Sequence, residues 1–209
     1  MRTTLNVMFQ NEEKILSQVL KYWKEYPIDH YIFYNDNSVD NSVNLIKNVL
    51  RDRDVTIINS QIDVYNESLA RQEMLNISRQ LNADLMFSLD CDELLTSNIL
   101  TNWKKFLNYF KTYDVELFWY NCVNESLKYY RCDPLYKRNF KSFVAPLAKI
   151  ENWNIHEHKY HQRRVPYINL PKVQTEQCGV LHLQALNRKY YALKPVSYTH
   201  LRAHETLRY

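Results

Sequence analysis

One glycine, Gly179, serves the whole of a 209-residue sequence. That scarcity excludes two common ways of holding a nucleotide. A P-loop needs two glycines and a dinucleotide fingerprint about three, so any nucleotide must be bound by other means. The four cysteines, Cys91, Cys122, Cys132 and Cys178, form no Cys-x-x-Cys pair, and free thiols in a reducing cytosol are the expectation. No apolar run is long enough to span a bilayer. The N-terminal stretch turns acidic after a short apolar run and lacks a small-residue cleavage site, which argues against a signal peptide. A net charge of +4 is too small to argue for a nucleic-acid partner. These absences together predict a cytoplasmic protein.

What is present is a 45% hydrophobic composition, enough for the core of one domain. Asparagine is abundant and takes over glycine's role where left-handed backbone is needed. The first two-thirds of the chain alternates strand and helix. "TLNVMF", "HYIFY", "VTIIN" and "LMFSL" read as strands. Between them lie helices whose inward stripes are Ile15, Leu16, Val19, Leu20 and Trp23; Val43, Ile46 and Val49 or Leu50; and Ala70, Met74, Ile77 and Leu81. Asn11 is placed to cap the first helix, with Glu12 and Glu13 in its positive first turn. A further helix carries Ile99, Trp103, Phe106 and Phe110, and "VELFWYNCV" is another strand. Such units predict an α/β fold, a mostly parallel central sheet with helices on both faces, in a single domain. Ligands then gather at the carboxyl ends of the strands. The polar turns "QNEE", "NDNSVDNS" and "DCDE" all fall on that edge.

Three carboxylates within "LDCDE" end the fourth strand: Asp90, Asp92 and Glu93. Carboxylates at i and i+2 can share one hard cation, Mg²⁺ or Mn²⁺, that keeps positions open for phosphate oxygens. The alternative is a solvated strand-to-helix turn in which Asp92 or Glu93 sits at a helix N-terminus. Asp36, directly after a strand, can accept hydrogen bonds from a base or ribose, while Ser38 and Asp40 suit helix caps. Asn37 stands where glycine is often used. Arg71 either faces phosphate or is a solvated helix cation. His156 and His158 share one side of an extended segment, with Glu157 on the other; they are a candidate metal pair or a wet, aromatic-lined surface. His182 in "GVLHLQ" is either a satisfied core histidine or a ligand, and Gly179 three residues earlier could let backbone approach a nucleotide. Tyr129, Tyr130, Trp153 and Tyr160 could stack on sugar rings or simply pack. The run "HKYHQRR" reads as a solvated loop or as a contact for an anionic lipid-linked acceptor at the inner face of a membrane.

The pieces "NEE", "YNDNSVDNS" and "RQEMLNISRQLNADLMFSLDCDELL" resemble the family 2 glycosyltransferases of GT-A fold, in their family 2-like branch. "FKSFVAP", "WNIHEH" and "VLHLQ" resemble later segments of that branch, and the likeness runs over roughly residues 4 to 194, weakest between 122 and 140. It implies a metal-dependent, inverting transfer of a sugar from a nucleotide-diphosphate donor, a UDP-sugar by guess, to a saccharide or lipid-linked hydroxyl, in surface polysaccharide or glycan synthesis. Asn11, Glu12, Asp36, Arg71 and Asp90 would bind the nucleotide. Asp92, with Asp90 on ribose or metal-bound water, would hold Mn²⁺ or Mg²⁺, and His182 would complete that site. The catalytic base is assigned to Glu157, with Glu151 behind it.

Other readings are a haloacid-dehalogenase-like phosphatase with Asp90 as nucleophile, a metal hydrolase using His156 and His158, and a non-catalytic sugar-nucleotide-binding protein. From Pro195 onward the composition changes, asparagine disappears, and the segment resembles adapter-derived read-through. The expected division is therefore a glycosyltransferase-like domain over 1–194 and a non-native tail over 195–209, with His200 and His204 excluded from any site.

Overall fold

The computed structural model describes residues 1–61, 66–122, 130, 139–153 and 163–183. The segment from Pro195, Glu157 with its flanking histidines, and Cys132 lie outside these residues.

Four strands run parallel because each is followed by a connection long enough to return to the same edge. They are β1 (Thr3–Phe9), β2 (His30–Asn35), β3 (Val55–Asn59) and β4 (Leu85–Asp90). The short β8 (Val144–Pro146) closes the sheet antiparallel to β4, giving the order β3-β2-β1-β4-β8. Both faces are covered, so the central strands carry near-continuous apolar sequence rather than alternation. Leu5, Val7, Phe33, Phe87 and Leu89 point into the larger core. There they meet α1 (Glu13–Trp23) and α2 (Ser42–Val49), and further along α4 (Ser97–Thr101) and α5 (Trp103–Tyr109). Ile32 and Tyr34 face the opposite layer, against Ala70 and Met74 of α3 (Glu67–Gln80). Every predicted inward residue of α1 is buried. The single helix expected over Ile99 to Phe110 is broken at Asn102 into α4 and α5.

The strand read at "VELFWYNCV" does not extend the central sheet. It is β6 (Asp114–Asn121), which joins β5 (Glu93–Leu95), β7 (Phe140–Ser142) and β9 (Lys172–His182) in a second sheet. The order is β5-β9-β6-β7, so β6 pairs with β9 and β7, and β5 pairs with β9. β7 and β8 form one extended run across residues 140–146. Its first half pairs with β6 and its second with β4, and the Phe143 carbonyl between them accepts the Ser88 N–H at 2.8 Å. The C-terminal end of β9 pairs with β5 and so sets His182 opposite Glu93.

Asparagine does stand in for glycine. Among the described residues, Asn11, Asn37 and Asn82 are the non-glycine residues at positive φ, all between 52° and 53°. The lone glycine has a different reason. β9 is parallel to β6 and slips register between Leu117 and Phe118, so that Thr175 and Gly179 face consecutive β6 residues. A Cβ on Gly179 would lie 2.1 Å from the Phe118 carbonyl oxygen and 2.6 Å from the Tyr120 ring. The close approach that the structure shows is to β6, and it accounts for the glycine by itself. Among the described residues, Cys91, Cys122 and Cys178 form no disulfide, and no helix is long and apolar enough to cross a membrane.

Gly179→Ala tests this packing. The added methyl meets backbone rather than a flexible side-chain end, so it should destabilise the fold by about 2 kcal/mol or more. Denaturant unfolding reads the loss, and a variant as stable as the parent would mean that β9 and β6 are not so close.

A candidate active site at the carboxyl edge of the sheet

The parallel registers bring the three polar turns together. Phe9 pairs with Asn35 across β1 and β2, and Met8 with Asp90 across β1 and β4. The chain beyond each strand therefore emerges on one edge. The turns after β1 and β2 are stitched to each other. Asn11 Oδ1 accepts from the N–H groups of Val39 and Asp40, and the Asn11 N–H donates to Ser38 Oγ. Asp40 accepts from Glu13 N–H with one oxygen and from Ser42 N–H with the other, both at 3.0 Å, so one carboxylate caps the starts of α1 and α2. Ser42 Oγ accepts from Glu12 N–H. Asn11, expected as the cap of α1, instead has left-handed backbone and organises the neighbouring turn. Asp36 lies just past β2, its N–H on the Phe9 carbonyl and its side chain buried. Burial raises its pKa above the usual carboxylate value.

The acidic turn after β4 is not a strand-to-helix turn. The chain goes directly into β5, and Glu93, rather than sitting at a helix N-terminus, is wholly buried within that strand. One Glu93 oxygen accepts the Asp90 N–H at 2.8 Å. The other accepts Trp119 Nε1 at 2.7 Å and an Arg164 Nη at 2.6 Å. Arg164 also pairs with Asp90. Burial pushes Glu93 up to about 7, opposed by Arg164 and reinforced by Asp90 and Asp92. Burial opposes ionisation of Asp90 as well. There the adjoining Arg164 charge and hydrogen bond, followed by Arg71 and His182, win and hold the carboxyl well below its usual range. Asp90 keeps an accessible rim, with 42% of its side chain open, although charged groups surround it.

Asp92 and His182 face one another at the same edge, Oδ2 to Nε2 at 3.3 Å. His182 Nδ1 is 2.8 Å from Asn121 Oδ1, and the imidazole stacks on Trp119 at 4.2 Å between centroids. With Nδ1–H donated to Asn121, Nε2 presents its other valence to a carboxylate. A bare lone pair there would be repulsive, and a shared proton or cation removes the conflict. Among the described residues no group of three or more His, Cys, Asp and Glu is arranged as a metal cage. The donors present are the Asp92–His182 pair, while Asp90 is held by Arg164.

Of the residues singled out in the sequence, Asn11, Glu12, Asp36, Asp90, Asp92 and His182 converge on this edge. Arg71 is buried rather than solvated. Its Nε and one Nη both donate to a single Glu67 oxygen, and the other Nη donates to Ser88 Oγ at 2.9 Å, which places it beneath Asp90. Glu151 is exposed between Ile150 and Asn152, both bonded by Arg79 in the last turn of α3, the end of that helix remote from Asp90. It is not brought to the carboxylates. Trp153 packs near the Arg71 guanidinium, and Tyr130 packs edge-on to Phe118 and Tyr120; Tyr129 and Tyr160 lie outside the described residues. Sequence reasoning missed Arg164, Trp119, Asn121 and Lys141. Arg164 belongs to the basic run read as solvated, yet its side chain is only 10% exposed. The one local hint is its place just before the wholly buried Val165.

No family model matches the chain, and no curated protein sequence matches it. Solved structures do. The S. aureus TarS fragment 1–349 matches at a TM-score of 0.52 and 11% identity over 71% of this chain and 48% of that one. The same fragment in complex with UDP matches at 0.52 and 12%, over 71% and 47%. S. aureus TarS over a longer chain matches at 0.51 and 11%, with 29% of that chain covered. The chain thus spans about half the length of the TarS fragment. At these identities the likeness is one of fold, and the fold is the GT-A type expected from the sequence.

The burial of Glu93 has a signature in pH. The folded protein retains a proton up to about 7 that the unfolded chain releases near 4.5, so stability falls as pH rises through that window. Glu93→Gln removes the titration but turns an amide N–H₂ toward one of the donors, so it should lower stability and at the same time flatten the profile in denaturant titrations between pH 5 and 7, in chelator. A parent profile already flat there would contradict the burial argument. Asp90 acts in a separate window, because its depressed pKa gives stability that is lost only as pH drops below 3.8.

Proposed function

We propose that this chain is a metal-dependent glycosyltransferase that moves a sugar from a nucleotide-diphosphate donor to a hydroxyl acceptor with inversion. The observation that carries the reading is the Asp92–His182 pair, oriented by Asn121 and set beside Asp90 at the carboxyl edge of a GT-A-type sheet. Asp36 and Asp90 end or follow strands two steps apart in that sheet, about 10 Å by the usual strand spacing. That is the reach of a nucleoside from base to diphosphate. The UDP in complex with the TarS fragment supports uridine as the base.

Asp36 accepts from the base or ribose, and the accessible rim of Asp90 is free to meet a ribose hydroxyl. Asn11 and Glu12 shape the turn that borders this position. Asp92 and His182 would hold Mn²⁺ or Mg²⁺; the carboxylate oxygen suits both ions, and the imidazole nitrogen is a softer donor that favours Mn²⁺ over Mg²⁺. When bound, such a cation neutralises the charge that develops on the leaving diphosphate. Arg164 and Glu93 keep the Asp90 turn rigid, so those groups need little reorganisation when a donor arrives. A carboxylate base takes the acceptor hydroxyl's proton as that oxygen attacks the anomeric carbon from the side opposite the diphosphate. Glu157 is the candidate for this role. The acceptor, a saccharide or a lipid-linked hydroxyl, the peripheral membrane contact and a part in surface polysaccharide or glycan synthesis belong to the same proposal.

Calorimetry with UDP tests it. Binding should be at least about tenfold tighter with Mn²⁺ than with chelator, the scale of one charge-assisted contact. Asp92→Asn and His182→Ala should each remove the Mn²⁺ increment, and Asp92→Asn should leave the melting temperature unchanged. Equal affinity with and without metal would sink the metal role. Donor hydrolysis measured alongside separates an enzyme from a non-catalytic binder.

A further inference from the structure

Trp119 is the wall between His182 and Lys141. β6 lies between β9 and β7, and the registers put His182, Trp119 and Lys141 on one face of the second sheet. His182 and Lys141 therefore flank the indole from its two sides, the imidazole centroid at 4.2 Å and the Lys141 Nζ at 3.2 Å from the ring centroid. Arg164 is a second cation beside the same ring, at 5.9 Å. Arg164 has Asp90 and Glu93 as partners, and His182 has Asp92 and Asn121. The Lys141 ammonium makes no hydrogen bond or ion pair among the described residues. Burial and then repulsion from Arg164 lower its pKa to about 8, against the pull of Glu93 and Asp90.

A partly desolvated cation beside another cation, seated on an indole face and without a hydrogen bond of its own among the described residues, is an unfinished anion site. In the nucleotide-sugar donor, on whose reading this inference rests, the charge resides in the diphosphate. We propose that Lys141 is a second anchor for that diphosphate, binding a phosphoryl oxygen from the opposite side of Trp119 to the Asp92–His182 pair. The two anchors are one ring apart, matching the two ends of a diphosphate. The contact needs no metal, so it persists in chelator.

Titration of UDP and of uridine into the full chain, in chelator and in Mn²⁺, tests this with Lys141→Gln and Lys141→Arg. Lys141→Gln should weaken UDP by about tenfold in both conditions, as expected for one hydrogen-bonded charge. It should leave uridine unchanged, and Lys141→Arg should recover most of the loss. Equal UDP affinity in Lys141→Gln and the parent overturns the proposal. So does an equal loss for UDP and uridine, which would make the lysine a prop for Trp119. The metal reading fails separately: UDP affinity indifferent to Mn²⁺ but still dependent on Lys141 removes the cation and keeps this anchor. A folded parent that binds no UDP overturns both.

Discussion

A single buried carboxylate joins the parts of this molecule. Glu93 accepts from Asp90 N–H in the acidic turn, from Trp119 in the second sheet and from Arg164, while its backbone carbonyl accepts Trp23 Nε1 of α1 at 3.0 Å. Isolated in a core, such a group would cost several kcal/mol. Here its oxygens meet only donors, and Arg164 returns the opposite charge. The cluster is consequently all or nothing. Removing Arg164 would strand two carboxylates, and removing Glu93 would strand a guanidinium.

That arrangement divides the labour within "LDCDE". Glu93 and Arg164 are internal support. Asp90 is shared between support and the open edge, and Asp92 is the one whose carboxylate meets His182 Nε2. Three similar side chains within four positions thus have three environments, set by burial and by the charge each meets. A count of carboxylates could not have assigned these roles.

The strands and helices of the first sheet were legible because each is a local pattern: apolar runs of strand length, helical stripes, and polar turns that a parallel arrangement must put on one edge. The asparagine turns were legible for the same reason, since αL backbone without glycine leaves few alternatives. What was not legible is tertiary. Arg164 meets Glu93 across 71 residues, and nothing in a basic run says which member turns inward. The second sheet pairs β5, β9 and β6 across long separations, so "VELFWYNCV" looked like one more central strand. Asn11 was misread because the cap of α1 comes from Asp40 on another turn. The carbonyl that constrains Gly179 lies on a neighbouring strand and has no local signal either.

The run over residues 140–146 also has a mechanical meaning. It is hydrogen-bonded to β6 at one end and β4 at the other, so it splices the two sheets with a continuous backbone. Sliding one sheet past the other would load both ladders in shear, and many hydrogen bonds would have to yield together. A clamshell that opens and shuts about this junction is therefore the wrong picture. The two sheets behave as one stiff anvil beneath the edge they share.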